Sequence, residues 1–86
     1  GQEVKRDCRA AITEVLADAL ANGQRSLSRK ALCEALGQRW GYSAGTVSNG
    51  LTRVTGGRRP EVVRVPSLPG HYRLAPWMAE ALSRQA

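Results

Sequence analysis

The apolar residues of this chain change their period once, and that change limits what the chain can fold into. Up to Val54 they recur at steps of three and four; after Gly56-Gly57-Arg58-Arg59-Pro60 they fall in short β-branched or aromatic runs, EVVRV and HYRLA. Steps of three and four line one face of a helix, and alternation lines one face of a strand. A helical body followed by a β-hairpin predicts an α+β domain.

Residues 5 to 21 place Cys8, Ala11, Ile12, Val15, Leu16, Ala19 and Leu20 on one face, with Arg6, Arg9, Glu14 and Asp18 elsewhere. This predicts a first helix over about 5–21, ended by a left-handed residue at Asn22 or Gly23. QRSLS, with Leu27 as its one apolar residue, suits a short extended segment. Ser28 is a natural N-cap for a second helix over 29–40, whose apolar face carries Leu32, Cys33, Leu36 and Trp40. Gly41 closes it, and Ser43 can cap a third helix over about 44–55.

With Val47 at zero and about 100° per residue, Leu51 falls at roughly 40° and Val54 at roughly −20°, a narrow apolar seam. Gly45, Ser48, Asn49, Thr52 and Arg53 lie away from it. In the hairpin, over about 61–75, the prolines and glycine of PSLPG suit the turn. Val63 and Val65 are expected to face the core with Arg64 outward, and Tyr72 and Leu74 to do so with Arg73 outward. Pro76 then opens a final helix over 76–84, in which Trp77, Met78, Ala81 and Leu82 fold back on the first helix.

The length of 86 residues allows one small domain, and a hydrophobic fraction of 42% with regular spacing sets the chain apart from disordered segments. No apolar run approaches the roughly 18 residues of a membrane span, and the N-terminus lacks the apolar core of a signal peptide. The expected location is intracellular: cytoplasmic and nucleoid-associated, or nuclear. The chain opens on Gly1 rather than methionine, so a segment of a longer protein with flanking domains is expected. Cys8 and Cys33, on apolar helical faces, read as buried and reduced. With His71 they make three scattered candidates, too few and too far apart in sequence for a zinc site. No metal, cofactor or catalytic constellation is expected, and the chain does not read as an enzyme.

Charge is the informative bulk property. The chain carries 13 basic and 7 acidic residues, a net of +6. Residues 1 to 18 are slightly acidic, so the positive excess belongs to the middle and end. Such asymmetry points to a polyanion, with a solvated basic surface as the alternative. Arg29 and Lys30 stand in the first turn of the second helix, where cations oppose the helix dipole; an external phosphate or plain solvation would account for them. On the third helix Ser43, Thr46, Ser48, Asn49, Thr52 and Arg53 offer hydrogen-bonding groups, and the fork of Arg53 suits guanine or phosphate. Arg58, Arg59, Arg64 and Arg73, with His71 at the turn, would make the hairpin positive. Trp40 and Trp77 occur singly at core spacing, unlike the clustered rings of a single-strand platform.

The order helix, short strand, helix, turn, helix, hairpin is that of the winged helix. Within residues 33 to 51, Gly37, Gly41, Val47 and Leu51 resemble the helix-turn-helix of bacterial repressors, with Gly37 where a small residue lets two helices cross closely. GYSAGTVSNGL is similar to the G-x-S-x-x-T-V-S-x-x-L run of LacI-type DNA-binding segments. LacI-type domains lack a β-wing and carry their motif near the start of the protein, so the resemblance concerns the reading helix and not a repressor's overall function. RRPEVVRVPSLPGHYRLAPW resembles the wing of HARE-type winged helices, a family with predicted DNA-binding modules and one module that works through protein contact.

These resemblances imply a single winged-helix domain over residues 1–86 that binds double-stranded DNA. The third helix would enter the major groove, and Arg29, Lys30 and the hairpin arginines would hold the backbone. Two copies on a palindrome are a further possibility. The rivals are a protein-interaction module that docks through the hairpin or its tip, Leu68 and Pro69, and a DNA-targeting domain of a nuclease, methyltransferase or replication protein.

Overall fold

The computed structural model describes residues 7–85, an α+β domain with four helices and a three-stranded antiparallel sheet among them. Helix α1 spans Cys8–Ala21. It starts later than the spacing predicted because Asp7 caps it, its carboxylate accepting from Arg9 N at 2.9 Å; residues 5 and 6 lie outside the described residues. Ala11, Ile12, Val15, Leu16 and Ala19 are buried, while Leu20, expected on the same face, is 41% exposed. The buried hydroxyl of Thr13 is satisfied within the helix by the Ala10 carbonyl at 2.9 Å. The left-handed residue after the helix is Gly23 (φ 88°) and not Asn22 (φ −94°).

Strand β1 is Leu27–Ser28, and α2 follows directly over Arg29–Trp40. Ser28 Oγ accepts from Ala31 N at 3.1 Å, and Gly41 (φ 74°) stops α2. Helix α3 spans Ala44–Thr55, capped by Ser43. Strands β2 (Val62–Arg64) and β3 (His71–Leu74) form the hairpin, and α4 covers Pro76–Gln85. The sheet order is β1-β3-β2, so the short segment at Leu27 completes a third strand against β3, with Leu27 opposite Tyr72 and Ser28 opposite His71. Glu61 ties the hairpin base to its neighbours: its N–H donates to Val54 O at 3.0 Å, and its carbonyl accepts from Ala75 N at 2.9 Å.

The core gathers Ile12 from α1, Leu32 and Leu36 from α2, Val47 and Val54 from α3, and Val62 from β2, all fully buried. Sheet register corrects the expected phase of the hairpin. Val62 pairs with Leu74 and Arg64 with Tyr72, so these four share one face; Val63 pairs with Arg73 on the other. Val62 rather than Val63 fills the core, and Arg64 stands past its edge on the core-side face, exposed. A one-residue change of phase moves every side chain of a strand to the opposite face. EVV offered two adjacent valines, so β-branching alone could not choose between them.

Gly50, not Gly37, is the glycine on which helix packing depends. A Cβ on Gly50 would lie 2.7 Å from Cys8 Sγ and 3.0 Å from Ile12 Cδ1, where α1 crosses α3. A Cβ on Gly37 would meet only Tyr42 O at 3.6 Å, an ordinary contact. The final helix departs from expectation in two places. Trp77 turns toward the α3–β2 loop, donating from Nε1 to Pro60 O at 2.9 Å, and Ala81 is exposed; Met78 and Leu82 pack against the core.

Candidate nucleic-acid interface

The outward face of α3 is set by its seam. With Val47, Gly50, Leu51 and Val54 buried, Thr46, Asn49, Thr52 and Arg53 are exposed and Ser48 is half-buried. The side chains differ in how far they are already committed. Ser43 Oγ receives the Thr46 N–H at 3.3 Å and shares a 3.0 Å hydrogen bond with Thr46 Oγ1, so both hydroxyls hold the start of the helix. Thr52 donates to Ser48 O at 3.1 Å, keeping only acceptor capacity for a ligand that, if phosphate, has no proton to give. Asn49 and Arg53 make no side-chain hydrogen bond or ion pair among the described residues.

Helix α2 joins this face through its first turn. Arg29 Nη2 donates to Ser48 Oγ at 2.7 Å, across two elements that are 19 residues apart in sequence. The bond holds the guanidinium against α3, and Lys30 beside it is exposed. A cation in the first turn of α2 thus has a local partner, which reading α2 alone did not reveal. The N–H of Arg29 is engaged by Gly70 O at 2.9 Å, so the end of the hairpin loop is fastened to the same turn.

Sequence reasoning missed Arg9. It borders a hollow with Thr46, Asn49, Gly50 and Arg53, together with Asp7 and Cys8. The close crossing at Gly50 brings the start of α1 beside α3; the signal was a glycine about 60° from the apolar seam, on its buried side. Arg9 also pairs with Asp7 at 3.4 Å. The Asp7 carboxyl is held below its ordinary value chiefly by the Arg9 backbone N–H, then by the Arg9 side chain, with the Arg53 charge a small contribution. That carboxylate offsets positive charge at the Arg9 end of the face, leaving the Arg29–Lys30 end the more favourable to an anion.

The hairpin arginines do not share one face of the sheet. Arg58 is exposed in the α3–β2 loop. Arg59 lies over the Trp77 ring at 4.1 Å from its centroid, a cation–π stack that gives it a structural task. Arg64 and Arg73 stand on opposite faces of the sheet by register. Arg73 borders a separate hollow with Arg25, Leu16 and Leu20. His71 is half-buried in β3 opposite Ser28, with Nδ1 buried and without a partner, rather than displayed at a turn. Cys8 and Cys33 are free and each half-buried rather than fully buried. The Cys8 thiol is pushed up from its ordinary value, mainly by burial and then by the Asp7 charge.

Among the described residues no three His, Cys, Asp or Glu side chains gather where they could hold a metal ion, and no helix is long and apolar enough to cross a membrane. No family model, curated protein or solved structure matches this chain.

Proposed function

We propose that this chain is a winged-helix domain that binds double-stranded DNA, with α3 in the major groove and the first turn of α2 on the phosphate backbone. The observation that carries this reading is the Arg29–Ser48 bond, which joins the basic start of α2 to the polar face of α3. Asn49 and Arg53 have their polar groups uncommitted there, and both are suited to base edges: Asn to adenine, Arg to guanine. Arg29, Lys30 and Arg58 supply phosphate contacts, which position the protein without specifying sequence. The net charge of +6 favours the association. Arg59 serves through Trp77, and Arg64, Arg73 and His71 are left outside the contact set. On this reading the domain acts by binding rather than by catalysis, in a nucleoid or nucleus.

Selection of bound sites from random duplexes, followed by fluorescence anisotropy over a salt series, tests the proposal. An Asn49→Ala, Arg53→Ala double variant should lose about 30-fold or more on the selected site, from two base contacts at roughly 1–3 kcal/mol each, and should prefer it less over unrelated DNA. Arg29→Ala with Lys30→Ala should weaken all duplexes alike and flatten the slope of log K against log salt by about 1.8, or 0.9 per phosphate. Equal, sequence-indifferent binding by wild type and the Asn49/Arg53 variant would sink the recognition-helix assignment.

A second reading is favoured by one observation. Leu68, at the hairpin tip, is 46% exposed, an apolar side chain placed where a protein partner could cover it. Leu68→Ser would leave DNA binding intact under the first reading and abolish partner capture under the second.

A further inference from the structure

Away from α3, the C-terminal half of α1 and the helix α4 flank an open apolar trough. Two adjoining hollows, of about 220 and 360 Å³, share Leu20, Leu74 and Ala79. Leu16 lies at one end and Leu82 at the other. Leu20, on the helix face predicted to be core, is 41% exposed here, with no element among the described residues covering it. The trough has one charged end, where Arg25 and Arg73 both line the first hollow. Neither guanidinium has a hydrogen bond or ion pair among the described residues, and no acidic residue lines either hollow.

We infer that this trough docks an amphipathic helix of a partner protein that carries carboxylates at one end of its apolar stripe. Three observations select that occupant. The trough runs between two helices over residues 16–21 and 76–83 and is open along its length. That span is about two helical turns, about 9–12 Å at 1.5 Å per residue, and fits a third helix presenting apolar residues at i, i+3 or i+4, and i+7. An enclosed small molecule would need most of its surface covered, which an open trough does not provide. Two uncompensated arginines at one end call for Asp or Glu, and a planar guanidinium can accept a carboxylate bidentately. A second copy of the chain set trough against trough would bring no carboxylate from its own lining to those arginines. The inference goes beyond the DNA reading, since Arg53 and Asn49 line neither hollow.

The test is a display library of 16-residue helical peptides with randomised faces, selected on the full chain. Selected peptides are then titrated into ¹⁵N-labelled protein. The expected result is enrichment of Leu, Ile or Met at helical spacing with Asp or Glu clustered at one end, and shifts at Leu16, Leu20, Leu74, Ala79 and Leu82. Arg25→Glu with Arg73→Glu, both exposed and so compatible with folding, should weaken the selected peptides at least tenfold. A peptide with its Glu residues changed to Lys should regain affinity for that variant. Asn49→Ala with Arg53→Ala should bind the peptides as wild type does. Enrichment of nothing, enrichment without acidic residues, shifts confined to α3, or groove shifts that follow protein concentration alone would each overturn the inference; the last would assign the face to a second copy.

Discussion

Gly50→Ala probes the crossing on which the candidate face depends. Inside a helix this exchange should help, since alanine is favoured over glycine by about 1 kcal/mol. Here the new methyl would sit 2.7 Å from Cys8 Sγ, 3.0 Å from Ile12 Cδ1 and 3.4 Å from Cys8 Cβ, all inside the roughly 3.5–4.0 Å at which carbon contacts are attractive. Ile12 is fully buried and cannot turn away. Cys8 has a single side-chain torsion, and its Sγ faces the Thr46 carbonyl at 3.6 Å. Overpacking of this kind costs about 1–3 kcal/mol. Steric cost exceeds the propensity gain, for a net loss of about 1 kcal/mol, or roughly 4–8 °C in Tm for a domain of this size.

Thermal and urea unfolding followed by circular dichroism measure the loss, and two sister variants calibrate it. Gly45→Ala meets nothing within 4 Å and should gain stability, while Gly37→Ala, with only Tyr42 O at 3.6 Å, should be neutral to stabilising. Cys8→Ala in the Gly50→Ala background should recover part of the loss, with a coupling energy that Cys8→Ala and Gly45→Ala do not show. If Gly50→Ala melts at or above the wild-type temperature, or matches Gly45→Ala, the close α1–α3 crossing is wrong. The placement of Arg9 beside Asn49 and Arg53 then falls with it.

Trp77→Phe should destabilise the domain by about 1 kcal/mol by leaving the Pro60 carbonyl without its donor, and Arg59→Ala should cost about 0.5–1 kcal/mol and alter Trp77 fluorescence. Ser28→Ala removes the α2 cap and should cost about 1 kcal/mol in urea unfolding. NMR titration should show the Asp7 carboxyl ionising below its ordinary value of 3.8. Since the folded state holds that group lower than the unfolded chain does, its stabilisation is present above the ordinary value and disappears as pH falls through the lowered one. Cys8 should react with iodoacetamide at pH 8 more slowly than an unstructured cysteine and speed up in urea, because burial suppresses the thiolate.

Helix spans and caps were legible because they are written in neighbouring residues. Ser28, Gly41 and Ser43 act on backbone groups three or four positions away, and the seam of Val47, Leu51 and Val54 follows from the helical repeat alone. The sequence by itself therefore determined the order of elements, the α+β class and which residues of α3 could face outward. Tertiary structure decided what no local pattern contains. Register chose Val62 over Val63 and put Arg64 and Arg73 on opposite faces, because pairing with β3 fixes the phase of a strand too short to fix its own. The crossing of α1 and α3 made Gly50 the close-packed glycine and carried Arg9 to the candidate face. Contacts between distant segments assigned Arg29 to Ser48 and Arg59 to Trp77. A guanidinium's partner is settled by which elements pack together, and so basic residues that look alike along the chain hold different tasks in the fold.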